Sequence, residues 1–427
     1  MPALSPAARR ILAATSANAL GRGFTLPFLL IYLHTVRGIP LAVTGVVLAT
    51  LGAVGVAAGP VTGTAIDRFG ARRVLLAAIG VSTVGTLLLT QVHSTWQAFL
   101  AVAVTGIGGS ASWPATNALL AGVTTPEQRS RAYAVEFTLL NAGIGIGGVA
   151  GGLIADTSRP GTFELLYAVD AASFVLAAAL LATLRRGVGG PVAHPEREPG
   201  VPDGWRHVLA DRRMWWLCLL LLVVVSAGYA QVDSGFPAFA TEVAGVSTRT
   251  VGFAFAANTA VIVLGQLVVL KRLEGRRRTR AVAGFGVLIA CSWGLFGLSA
   301  LASPAAATVL VIVSLGVFGL GETLWVPSGN VIVNDLAPPH LRGRYNALGS
   351  LTWQLAAMAG PILSGVILGA GHAGAYIVVL LVACAAVVLL ALALERRLTP
   401  AENGVFARPE VGPPALPTVT TVGAAEP

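Results

Sequence analysis

Charge is scarce in this 427-residue sequence: Asp, Glu, Lys and Arg together make up 11% of it, against about 25% in an ordinary soluble domain. That is too little polar surface to wrap a soluble protein of this length. With 55% hydrophobic residues and a mean hydropathy of +0.78, the solvent that fits is a lipid bilayer. Cysteine is nearly missing. Cys218, Cys291 and Cys384 lie far apart inside apolar runs, which excludes a disulfide framework and metal-ligand spacing and makes them small buried hydrophobes. No metal and no cofactor is expected. The net charge of +9 sits in short clusters between apolar runs without interleaved aromatics, which speaks against a nucleic-acid surface. Short alternating segments of the kind a membrane barrel needs are absent too, so the spans must be helical. No nucleophile elbow, H-E-x-x-H or P-loop occurs, and an enzyme is not expected.

What the chain does contain is twelve apolar runs, at about 10–34, 41–66, 72–92, 96–122, 132–156, 164–184, 214–239, 248–270, 280–302, 306–330, 343–370 and 373–394. The first follows Arg9 and Arg10 and reaches about Leu33. That is the length of a spanning helix rather than of a signal-peptide core, so it is expected to be retained. With the N-terminus inside, twenty-four of the 28 Lys and Arg residues fall in cytoplasmic segments; Arg37, Arg159 and Arg249 fall outside, and Arg22 lies within a helix. This bias predicts a multi-pass cell-membrane protein with both termini cytoplasmic. The expected organisation is all-α: an N-terminal six-helix half over 1–184, a linker loop over 185–213, a C-terminal six-helix half over 214–394 and a disordered tail over 395–427. The 51 glycines fit helices whose backbones approach closely.

The halves repeat each other. A constant shift of 213 aligns Pro114 with Pro327, Asn117 with Asn330, Pro126 with Pro339, Arg129 with Arg342, Arg131 with Arg344, Gly147 with Gly360 and Gly152 with Gly365. Six helices repeated in the same orientation make two parallel halves.

The connection after the second run reads GTAIDRFGARR, from Gly63 to Arg73. Gly63 permits close helix contact and Gly70 a tight turn. Asp67, at the membrane boundary among Arg68, Arg72 and Arg73, can pair with a basic group or a helix N-terminus in one state and release it in another, which is how a gate behaves. In its spacing this stretch resembles the signature between helices 2 and 3 of the major facilitator superfamily. The twelve runs, the six-plus-six repeat and the long central loop agree with that family over about residues 10–394. The resemblance implies a central cavity lined by helices 1, 4, 7 and 10, and alternating access by rocking of the halves.

Helix 5 carries GIGIGGVAGG, from Gly143 to Gly152. Its G-x-G-x-x-G spelling is not a dinucleotide site, because no strand precedes it. Gly143, Gly147, Gly148, Gly151 and Gly152 look like the helix 5 motif of proton-coupled antiporters in this family, with Gly148 in place of the usual proline. Small-residue packing alone is the other reading. The family's helix 4 arginine, which would fall near Val102, is missing.

A charge at mid-bilayer costs roughly 2.5–3.5 kcal/mol even on the mildest scale, so intramembrane ionisable residues mark function. Arg22 and Asp233 stand five and four residues before the matched Pro27 and Pro237, and Glu322 lies in the tenth run. All three belong to helices that the resemblance places around the cavity. Arg22 and Asp233 are expected to approach across the halves, with Asp233 as the ionised counter-ion, leaving Glu322 to carry the proton. A static, helix-orienting ion pair is the competing account. Asp170 and Glu136 are expected nearer the interfaces, in structural roles. Phe28, Trp113 and Trp325 are candidates for an apolar cavity wall, and Asn117, Gln231 and Asn330 for polar contacts with a substrate. The function expected is proton-coupled efflux of apolar or amphiphilic small molecules by a monomer in the bilayer. Proton-coupled uptake of a small polar solute is the alternative, and a non-transport membrane protein or an enzyme the remote one.

Overall fold

The computed structural model describes residues 4–185, 188–190, 205–273, 275–338 and 341–405. Among these, twelve helices are long and apolar enough to cross a bilayer: α1 (Pro6–Val36), α2 (Leu41–Gly59), α3 (Ala71–Thr90), α4 (Thr95–Gly122), α5 (Ala132–Ile154), α6 (Pro160–Ala182), α7 (Arg212–Asp233), α8 (Thr248–Gln266), α9 (Arg278–Ser299), α10 (Pro304–Trp325), α11 (Arg344–Gly369) and α12 (Ala373–Glu395). Starts are written locally. Ser5 caps α1 by accepting from the Ala8 N–H, and Pro6, Pro160 and Pro304 sit in the first turns of their helices, where a missing N–H costs nothing.

Two spans are bent at the matched prolines. α1 passes through a 3₁₀ turn at Leu26–Phe28 and a π turn at Tyr32–Val36. α7 has a π turn at Val225–Tyr229, and the chain continues beyond the span through Gly235–Ala238 to a second π turn at Phe239–Val243. A bent helix exposes carbonyls that hydrocarbon cannot solvate. Here side chains take them: Gln231 Nε2 donates to Ser226 O at 2.7 Å, and Trp293 Nε1 to Ala227 O at 2.9 Å.

Helices α1–α6 pack among themselves, as do α7–α12, and the two groups meet along α2/α11 and α5/α8. The second group has an aromatic core, with Phe236 stacked on Phe296 at 4.6 Å and Phe285 against Trp325 at 5.5 Å. Exposed Leu264, Leu389 and Val382 belong to the lipid-facing belt. Cys218 and Cys384 are buried, but Cys291, expected to be buried as well, is exposed on α9.

The tail departs from expectation. Instead of losing order after Thr399 it folds back as far as Val405. Asn403 is buried; its backbone carbonyl accepts from Arg278 N and its side-chain oxygen from Thr279 N, both at 3.0 Å, while Glu402 pairs with Arg213 at 2.8 Å. The first N–H groups of α9 need acceptors from outside the helix, and Asn403 supplies them. Residues 406–427 of the expected disordered tail lie outside the described residues. So do 186–187 and 191–204 of the expected linker loop, whose remainder includes a short helix, Trp205–Ala210.

Candidate functional site

Glycines set how the halves meet. At the ends of α2 and α11 far from the chain termini, a Cβ on Gly365 would lie 2.8 Å from Leu41 O and 3.1 Å from Gly45 Cα. At the matched place between α5 and α8, a Cβ on Gly152 would lie 3.0 Å from Thr248 O and 3.2 Å from Gly252 Cα. Thr248 Oγ1 also donates to Ala155 O at 2.8 Å, and Thr35 Oγ1 to Glu242 at 2.9 Å, so the halves are sealed on that face. Towards the face that carries the chain ends they part: a Cβ on Gly59 or Gly63 would meet nothing within 4 Å. The close contact expected of Gly63 is therefore absent.

Between the halves lies a cavity of about 500 Å³. Its wall is mostly apolar, with Leu26, Leu29, Leu51, Trp113 and Trp353 among its members, and it carries one basic and three acidic side chains, Arg22, Glu136, Asp170 and Asp233. Arg22 and Asp233 are exposed to the cavity, whereas Asp170 is buried and accepts a hydrogen bond from Thr25 Oγ1 at 2.9 Å. The charge of Arg22 acts on both Asp170 and Asp233, yet Arg22 makes no ion pair among the described residues. Arg22 and Asp233, expected to approach across the halves, both line this cavity, and no ion pair joins them among the described residues. Asp170 and Glu136, expected near interfaces, lie on the cavity wall. Asp170 is mid-helix in Pro160–Ala182, a signal that residue counting alone would have read.

Glu322 is not on this wall. α10 turns it towards α8, where Asn258 Nδ2 donates to it at 2.7 Å, and Tyr229 stands beside it. Tyr229 is fixed there by Trp353 at 5.2 Å and Phe318 at 5.9 Å. Three more cavity candidates turn out to be packing residues. Phe28 is fully buried, rotated by the 3₁₀ turn onto the Gly151 face of α5, where a Cβ on Gly151 would lie 2.8 Å from its ring. Trp325 is buried over Gly329. Gln231 spends its amide on Ser226 O and Gly360 O, and its oxygen accepts from Tyr376 Oη at 2.8 Å. Asn117 is partly buried off the wall, with its carbonyl accepting from Tyr133 Oη. The Asn330 side chain lies outside the described ones. Trp113 is on the wall and 59% exposed.

In the connection after α2, Gly70 alone separates two helices, at φ +86°, and a Cβ there would lie 2.5 Å from Gly189 O. Only glycine meets both demands. Arg72 donates to Ala182 O at 2.8 Å and Leu181 O at 3.2 Å, placing a cation on the C-terminal carbonyls of α6. Arg68 lies over the Phe69 ring, and Asp67, Arg68 and Arg73 are exposed at the open end of the interface. On α5, Gly143, Gly147 and Gly151 face α1, while Gly148 and Gly152 face α8.

Residues 11–325 and 294–421 match the sequence model of the Major Facilitator Superfamily. A Na(+), Li(+), K(+)/H(+) antiporter of Planococcus maritimus is 28% identical over 366 residues, 79% of this chain and 83% of that protein. Multidrug resistance protein MdtH of Aeromonas salmonicida is 28% identical over 311 residues, 72% of this chain and 74% of its own. Among solved structures, a POT family transporter in complex with 5-aminolevulinic acid superposes with a TM-score of 0.75 at 14% identity, covering 91% of this chain and 95% of its own. A bacterial homologue of the human lysosomal transporter Spinster, inward-facing and unoccupied, gives 0.66 at 17% identity, covering 92% and 96%. At these identities the structures speak for the fold.

Proposed function

The chain belongs to the major facilitator superfamily, and from that premise we propose that it is a proton-coupled exporter of apolar or amphiphilic small molecules, working by alternating access as a monomer in the cell membrane. The observation that carries this reading is the central cavity: an apolar wall bearing Arg22, Asp170 and Asp233, sealed at one face and open at the other. The excess of Lys and Arg on the open side makes that side cytoplasmic and this state inward-facing. An apolar wall accepts apolar substrate surface, and a water-accessible carboxylate in it gives the proton a place to ride.

Asp233 is the carrier in this scheme. Open to the cavity, it exchanges its proton with the cytoplasm, and as a carboxylate it draws on Arg22. Protonated, it leaves Arg22 to Asp170, so a proton arriving from outside changes which half the guanidinium serves. Asp67 and the arginines about it act as the cytoplasmic gate. The names of the relatives, an antiporter and a multidrug resistance protein, agree with export.

The test is transport by the purified protein in liposomes with an imposed pH gradient and a panel of amphiphilic dyes. Export predicts dye movement opposite to protons. Movement of dye along with protons would make it a symporter, and movement indifferent to the gradient would end the coupling proposal.

A further inference from the structure

At the inner end of the second half, the ends of α8 and α10, the start of α9 and the folded-back tail enclose a second cavity, of about 610 Å³. Its walls are of two chemical kinds. Arg276, Arg277 and Arg280 line it together with the apolar side chains of Leu273, Ala281, Leu324 and Val405. The apolar side exists because Gly284 leaves room for Leu324, whose Cδ1 would lie 3.2 Å from a Cβ placed there. The tail wall exists because Gly404 turns at φ +80° against the Arg278 side chain, which brings Val405 in.

Among the described residues, one carboxylate answers the three arginines of this cavity. Glu395 serves both Arg277, at 2.5 Å, and Arg280, at 3.2 Å, and Arg276 makes no ion pair among the described residues. Arg278 is committed to Asp335, and Lys271 and Arg272 add two more cations on the last turn of the helix that carries α8 on to Leu273. The cavity lies where α9 begins, at the level of the bilayer's headgroups. Below it the helix that carries α8 exposes Leu264 and Val268, 79% and 52% accessible, to the acyl chains. Guanidinium groups match a phosphate fork, and an adjoining apolar floor matches the first carbons of a fatty chain.

We propose that this cavity binds the phosphodiester headgroup of an anionic phospholipid, with the arginines on the phosphate and Ala281 and Leu324 under the top of the acyl chains. Basic pockets between spans on one membrane face are built for this ligand chemistry. The proposal needs only the bilayer setting of the chain and does not depend on what the central cavity transports.

Native mass spectrometry of the detergent-solubilised full chain, titrated with equimolar phosphatidylglycerol and phosphatidylcholine, tests it. The unsubstituted protein is expected to retain phosphatidylglycerol in clear preference. Each arginine near an anionic headgroup is worth roughly fivefold in affinity, so Arg276→Gln with Arg277→Gln and Arg280→Gln should lose about a hundredfold. Arg276→Gln alone, which breaks no ion pair, should lose about fivefold with unchanged elution and unfolding temperature. It decides the matter if the triple variant does not fold. Retained preference in the folded triple variant, or in Arg276→Gln, would overturn the proposal. So would displacement of the lipid by millimolar inorganic phosphate, since a plain phosphate site would not need the apolar floor.

Discussion

Arg22 has two carboxylates within its field and pairs with neither. That arrangement makes the residues separable by substitution. Asp233→Asn leaves Arg22 compensated by Asp170, so the protein should fold and bind substrate nearly as before while losing gradient-driven transport. Glu322→Gln keeps a carbonyl oxygen for Asn258 and lies off the cavity wall, so it should retain coupling. Liposome transport and equilibrium binding of the two variants side by side check both statements; the reverse pattern would return the proton to Glu322. Sequence alone assigned the proton to Glu322 because it had no basic neighbour in the chain. That argument counted charges along one dimension and missed that α10 faces Glu322 towards α8. It also missed Asp170, which joins Arg22 on the cavity lining because α6 packs on α1.

The helices show how a repeat becomes an architecture. The seven identities under the shift of 213 include two glycine pairs, and each pair does one job twice. Gly147 packs on α1, where a Cβ would lie 2.8 Å from Gly23 Cα, and Gly360 packs on Ala230 and Ser226 of the matched α7. Gly152 meets α8 and Gly365 meets α2, the two matched contacts between halves. Gly147→Leu and Gly360→Leu should each overpack their contact and cost about 1–3 kcal/mol. Gly63→Ala, with open space around it, should stay within about 0.5 kcal/mol. Unfolding in detergent followed by intrinsic fluorescence measures all three, and equal losses at Gly63 and Gly147 would contradict the packing argument. Identity does not guarantee equal form, however. Pro114 lies inside the continuous helix Thr95–Gly122, whereas at the matched Pro327 the helix ends at Trp325 and resumes at Gly329, under the Trp325 ring. The indole packed over a glycine exists in one half only.

For the whole molecule, the proposed alternating access makes this conformation one end point of a cycle. A Cβ on Gly369 would lie 3.7 Å from the Ala42 Cβ across α11 and α2, close to the separation of about 3.8 Å that a disulfide requires. In a background lacking the three native cysteines, Ala42→Cys with Gly369→Cys should cross-link on oxidation. Transport should stop and return with a reducing agent; cross-linked protein that still transports would show that this face need not open. At the other face, Asp67→Asn should slow exchange between inward- and outward-open states, read by single-molecule distance measurements, with substrate affinity nearly unchanged. A large affinity loss with normal exchange would remove Asp67 from the gate.

The sequence by itself determined the number and length of the spans, their helical nature and the doubled plan, because each depends on hydrophobic length and on residue order along the chain. Gly70 was legible for the same reason: a one-residue link between helices demands it whatever surrounds it. The tertiary structure decided which way each side chain points. Rotation of a helix about its axis is set by the neighbours it packs against, and in a bilayer an all-apolar helix carries almost no amphipathic stripe to announce it. Phe28, Gln231 and Trp325 therefore went into helix packing and Asp170 into the cavity, and for Phe28, Gln231 and Asp170 the deciding contacts join residues more than a hundred positions apart.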